Sequence, residues 1–154
     1  MSSRVVDLAG LLRQVDIANS RMSAGDWGLW RELLSHREDV AILGAYGAHL
    51  AGWEAVSARF GRTATGYAAG GGGGRSTHEN IVSWVGDDLA CSVTVERHES
   101  GLDGSGNLVP FSYRATHVFR REEDTWRIVL RHADPLVEFV GPEVAHDMAR
   151  RARR

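Results

Sequence analysis

Four side chains in the C-terminal half carry groups that hold or move protons: Glu96, Arg114, His132 and Asp134. His132 ends the run Trp126–His132, and Asp134 follows two residues on. Alternate residues of an extended strand share a face. Trp126, Ile128, Leu130 and His132 therefore fall on one side and Arg127 and Arg131 on the other, and the first set is expected to face inward. An inward imidazole oriented by Asp134 can act as a general acid or base near neutral pH. The same pair can equally be a hydrogen-bonded anchor for the strand end.

The run Ala90–Arg97 places Thr94, Glu96 and His98 on one face and Val93, Val95 and Arg97 on the other. A cavity-facing Glu96 needs a cationic partner, because an isolated buried carboxylate is too costly, and Arg114 is the natural candidate. In Phe111–Arg120 the parity is ambiguous. Arg114, Thr116 and Val118 form one set and Tyr113, Ala115, His117 and Phe119 the other, each with apolar members. If the first set faces inward, Arg114 can hold a carbonyl or anionic oxygen beside Thr116. On the outer face the same groups make an ordinary surface salt bridge. Trp27, Trp30, Trp53 and Trp84 either wall a pocket or fill a core, and Tyr46 offers a hydroxyl near a pocket mouth.

Three lookalike motifs fail on their own chemistry. Gly70–Ser76 has Ala69 and Arg75 where a phosphate loop needs glycine and lysine. Asp103–Asn107 begins like a calcium loop, but Leu108 and Arg114 stand where glycine and glutamate are required, so it reads as a hairpin turn. His78-Glu79-Asn80 has no second histidine at zinc-protease spacing.

The elements that must position these groups follow from hydrophobic period. Val5–Met22 carries Val5, Leu8, Leu11, Leu12, Val15 and Ala18 at helical steps. A second helix, capped by Ser23 or Asp26, carries Trp27, Trp30, Leu33 and Leu34. Val40–Leu43 reads as a short strand, and Gly52–Phe60 as a third helix ended by Gly61. After the glycine-rich loop Ala68–Gly74 come four strands, Ile81–Val85, Ala90–Arg97, Phe111–Arg120 and Trp126–His132, whose short polar breaks predict an antiparallel meander. A helical tail begins near Glu143 and ends in arginines. Helices followed by consecutive strands make an α+β chain.

At 154 residues the chain is one domain's length, with a core over about 5–140 and a basic tail over 143–154. The net charge of −2 gives no field for recruiting nucleic acid or an anionic membrane. Cys91 is the single cysteine, so there is no internal disulfide and no paired-cysteine zinc site. No apolar run reaches membrane-spanning length, and Met1–Gly10, with Arg4 and Asp7 and no long apolar run, is not expected to be a signal peptide. A cytoplasmic location is expected.

Ala24-Gly25-Asp26-Trp27, Gly52-Trp53-Glu54-Ala55-Val56, Tyr113–Phe119 and Trp126-Arg127-Ile128-Val129 with His132-Ala133-Asp134 occur in an order that resembles the nuclear-transport-factor-2-like superfamily. That superfamily includes the SnoaL-like polyketide cyclases and the ketosteroid isomerases. The resemblance covers residues 5–140. It implies a cone-shaped, curved, mostly antiparallel sheet covered by three N-terminal helices, with a cavity between them and often a homodimer formed through the sheet. The steroid isomerases place a carboxylate at the end of the first strand and a tyrosine in the first helix. Here those regions read Leu43-Gly44-Ala45-Tyr46 and Asp16-Ile17-Ala18-Asn19, so steroid-isomerase chemistry is not expected.

Two functions remain open on these residues. One is a cofactor-free and metal-free isomerase, cyclase or dehydratase for a small, mostly apolar, oxygenated ligand. His132, Asp134, Arg114 and Glu96 would be catalytic, and Trp27, Trp30, Tyr46, Trp53 and Thr116 would contact the ligand. The other is a ligand-binding or dimeric interaction module of the same fold, without turnover.

Overall fold

The computed structural model describes residues 6–103 and 105–151; Val5, Gly104 of the hairpin turn and tail residues 152–154 lie outside it. α1 (Leu8–Ser23) starts where Asp7 accepts the Gly10 N–H, and it buries Leu8, Leu12, Val15, Ala18 and Met22 at steps of three and four. α2 (Gly28–Leu33) is short, and the Asp26 carboxylate accepts its first N–H, from Gly28. β1 (Ala41–Leu43) and β2 (His49–Ala51) form a small hairpin, of which β2 had no signal in the residue pattern. α3 (Trp53–Ala69) runs through Gly61 instead of stopping there. A helical glycine costs about 1 kcal/mol against alanine, but Val56 and Ala64, buried on either side of it, keep the helix docked.

β3 (Ser76–Val85), β4 (Leu89–Leu102), β5 (Leu108–Glu122) and β6 (Thr125–Pro135) pair as the expected antiparallel meander. β1 joins β6 in parallel, giving the order β2-β1-β6-β5-β4-β3. A final helix, α4 (Pro142–Arg151), buries none of its residues.

The cone shape implied by the resemblance is not what forms, although four of the five strand pairings among the described residues are antiparallel as expected. The sheet is mixed and open, neither closed nor strongly curled, and helices flank it. Closure requires the two edge strands to meet in register. Here one edge is the three-residue β2 and the other the ten-residue β3, so most of β3's edge groups would find no partner.

A bulge in β6 decides which residues face the helices. Val118 pairs with Leu130 and Phe119 with Ile128, so Val129 is left without a cross-strand partner. An extra residue in one strand reverses the alternation beyond it. Ile128 therefore faces inward as expected, but so do Arg131 and Ala133, while His132 is exposed. On β5 the inward set is Tyr113, Ala115, His117 and Phe119, and on β4 it includes Ser92, Thr94 and Glu96. Trp30, Phe119, Leu34, Ile128, Val15 and Val56 are among the largest fully buried side chains of the core between helices and sheet.

Candidate functional site

A buried ion pair stands on the inner sheet face. The Arg131 guanidinium grips Glu96 with two parallel bonds, Nη1 to Oε1 and Nη2 to Oε2, both 2.7 Å. Such fork geometry is the strongest form of this contact. Glu96 is fully buried and Arg131 is 9% exposed. Burial by itself pushes the Glu96 carboxyl up; the guanidinium on both its oxygens overrides this and holds it well below the usual carboxylate range. Asn19 of α1 donates to Oε2 at 3.4 Å, and His98 Nε2 lies 3.3 Å from the same oxygen. His98 Nδ1 is 3.3 Å from the Ser76 hydroxyl.

Arg131 also donates to His117 Nε2 at 2.6 Å. The ring proton must then sit on Nδ1, which is buried and has no hydrogen-bond partner among the described residues. Burial, reinforced by the adjacent Arg131 charge, depresses the His117 pKa to about 3, so the ring is neutral. The other face of Arg131 lies over the Trp30 ring, 5.2 Å from its centroid. Behind α1, Asp16 and His78 Nδ1 meet at 2.7 Å. Burial raises the Asp16 carboxyl despite that hydrogen bond.

Beside this cluster a cavity of about 630 Å³ opens between sheet and helices, a size that accommodates a drug-sized molecule. Trp30, Phe60, Tyr67 and Tyr113 supply aromatic wall, Arg131 and His98 the polar floor, and Arg59, Arg62 and Asp103 further charge. Tyr46 projects from the β1–β2 turn and packs edge-on against Tyr113 and Phe111. Its hydroxyl donates to the Leu102 carbonyl at 3.1 Å, so in the 3.0 Å contact between the two phenols Tyr113 is the donor. Burial and that contact raise the Tyr113 phenol, and burial raises Tyr67.

The four proton-handling residues singled out in the sequence do not converge. Glu96 faces inward as parity required, but its partner is Arg131 rather than Arg114. Arg114 lies on the outer face and forks onto Asp134 directly across the sheet, at 2.7 and 2.6 Å, where both side chains are exposed. His132 stands on that same outer face opposite Thr116, so the expectation of an inward imidazole is corrected by the bulge at Val129. Of the aromatic candidates, Trp30 and Tyr46 line the cavity. Trp27 and Trp53 pack instead with each other, 6.4 Å apart, and with Phe60 and His36. Thr116 is outside the cavity lining, and Trp84 is 59% exposed.

The residues that sequence reasoning missed are Arg131, Arg59, Arg62, Tyr67 and Tyr113. A readable signal existed for three of them. Arg59, Arg62, Thr63, Gly66 and Tyr67 recur at helical spacing, a polar and small seam where a packed helix normally shows apolar residues. Among the described residues, no three His, Cys, Asp or Glu side chains group closely enough to hold a metal ion. No helix among them is long and apolar enough to cross a membrane.

This arrangement of helices on an open mixed sheet is the nuclear-transport-factor-2-like, or cystatin-like, fold. A Thiobacillus denitrificans protein, provisionally named a calcium/calmodulin-dependent protein kinase type II association domain, superposes with a TM-score of 0.65 at 24% identity; the match covers 84% of this chain and 95% of that one. A nuclear transport factor 2-like superfamily protein from Salmonella enterica gives 0.69 at 14% identity, covering 88% and 94%. A protein of the same fold from Streptomyces avermitilis, provisionally named a dehydratase, gives 0.60 at 22% identity over 84% and 99%. No protein-family model and no curated protein sequence matches the chain.

Proposed function

We propose that this protein binds a compact, mostly apolar, oxygen-bearing small molecule in the cavity between α3 and the sheet. The observation that carries this reading is a cavity of about 630 Å³ with aromatic walls and a fixed polar floor, in a chain whose remaining helix–sheet interface is packed. A few convergent polar groups in an apolar concavity are what a small-molecule site requires. The Arg131–Glu96 pair serves as floor rather than as proton donor, because each group holds the other in its charged form. Binding without turnover is therefore the leading reading.

Acid–base chemistry is the second reading, and one observation favours it. His98 is the imidazole that lines the cavity; its Nε2 contacts Glu96 and its Nδ1 contacts Ser76, both at 3.3 Å, so proton exchange with a bound ligand requires one of these contacts to open. Ligand-observed NMR against compact aryl alcohols, cyclic ketones and acids tests the first reading, with Ala133→Phe as the control that fills the cavity from β6. Signals seen with wild type and lost in a folded A133F protein support it; signals that survive A133F refute it. Recovery of chemically altered compound by wild type and not by His98→Gln selects the second reading.

Self-association fits the outer sheet face, where Trp84, Val82 and Leu89 are exposed. A homodimer through that face leaves the cavity on the helical side open. Sedimentation should show an association that Trp84→Glu weakens.

A further inference from the structure

We infer that the cavity's ligand is an organic carboxylate whose anionic end is held by Arg59 and Arg62, with its apolar body against Trp30, Phe60 and Tyr67. This rests on the reading of the cavity as a binding site and names the ligand class. The seam that α3 turns to the cavity consists of Arg59, Arg62, Thr63, Gly66 and Tyr67. Among the described residues neither Arg59 nor Arg62 has an ion-pair or hydrogen-bond partner for its guanidinium. Elsewhere Arg97, Arg114, Arg120 and Arg121 each close on a carboxylate, of Glu79, Asp134, Asp39 and Asp88. Guanidinium forks match carboxylate geometry, and two uncommitted ones beside an apolar pocket constitute an anion site.

The other polar groups of the cavity are already engaged. Arg131 is occupied by Glu96. Asp103 accepts the backbone N–H groups of Ser105 and Asn107 and the Asn107 side-chain amide. The Tyr113 proton goes to Tyr46 and the Tyr46 proton to Leu102, so both phenols face a ligand as acceptors and repel an anion. The anionic end is thereby directed to α3. The guanidiniums of Arg59, Arg62 and Arg131, set against the carboxylates of Glu96 and Asp103, leave one positive charge in excess, which suits a monoanion better than a phosphate dianion.

Calorimetric titration with 2-naphthylacetate and its neutral isostere 2-naphthylacetamide tests this, using wild type and R59Q/R62Q. Both substitutions lie on the partly exposed face of α3, and a thermal melt confirms the fold. The expected result is that wild type binds the acid about tenfold more tightly than the amide. R59Q/R62Q should remove that preference by bringing the acid down to the affinity of the amide, and added salt should weaken only the acid. Equal binding of acid and amide by wild type, or an acid affinity unmoved in R59Q/R62Q, overturns the carboxylate assignment and leaves the cavity reading standing. Absence of binding by both probes at millimolar concentration overturns both.

Discussion

Acid should destabilise this fold through His117 well before it reaches the carboxylates. The ring is fully buried, its Nε2 is taken by Arg131, and its pKa is depressed to about 3 from an unfolded value of 6.5. Below pH 6.5 the unfolded chain takes up a proton that the folded chain refuses. The stability associated with neutral His117 is therefore complete above about pH 7 and is lost as pH falls toward 3, with a limiting slope of about 1.4 kcal/mol per pH unit. Integrated from pH 7 to 5, the loss is about 2 kcal/mol. Glu96 acts in a separate window. Its folded pKa is depressed, so its contribution is present above its unfolded value of 4.5 and fades only below it. Urea unfolding of wild type and His117→Gln across pH 5–7.5 isolates the effect, since glutamine keeps an acceptor for Arg131 and does not titrate. The stability difference between the two proteins should shift by about 2 kcal/mol against wild type between pH 7 and 5. Parallel stability curves would refute the assignment of His117 as a neutral, proton-refusing ring.

Glu96→Gln leaves the Arg131 charge buried without its counter-ion and should cost about 3–5 kcal/mol in urea melts, most of it recovered in the double variant E96Q/R131M. The exposed Arg114–Asp134 fork has the same geometry but a different environment. Arg114→Ala should cost no more than about 1 kcal/mol and leave ligand affinity unchanged by titration. Deleting Val129 removes the unpaired residue and sets Ile128 next to Leu130, so Arg131 stays inward and His132 outward; the cooperative melt and the near-ultraviolet dichroism should both survive, and their loss would refute the bulge assignment.

Element types were legible because periodicity is strong. The steps Leu8, Leu12, Val15 and Met22 in α1, and the β-branched and aromatic runs of β3 to β6, each carry their own signal. The inward set Thr94, Glu96 and His98 was readable too, since β4 is regular over that stretch. The site was less so, for a physical reason that concerns one residue. Val129 is an unremarkable strand residue, and nothing local marks it as the unpaired one, because a bulge is defined by the partner strand. Once it is missed, parity places His132 where Arg131 belongs, and Glu96 is matched to Arg114, which lies on the other face. β1's parallel pairing to β6 and the three-residue β2 were invisible for the related reason that they depend on long-range partners. Gly61 was misread as a helix end because a glycine's local cost is visible in sequence and the docking that outweighs it is not.

The most direct test of the cavity as a binding site is amide chemical-shift mapping of the 15N-labelled protein with 2-naphthylacetate. Binding in the cavity is expected to move the amides of Leu43–Tyr46, Arg59–Tyr67, Tyr113 and Arg131–Ala133, which border it on three sides. Shifts confined to Val93, Thr116 and Leu130 on the outer face, or no saturable shift at all, would contradict it.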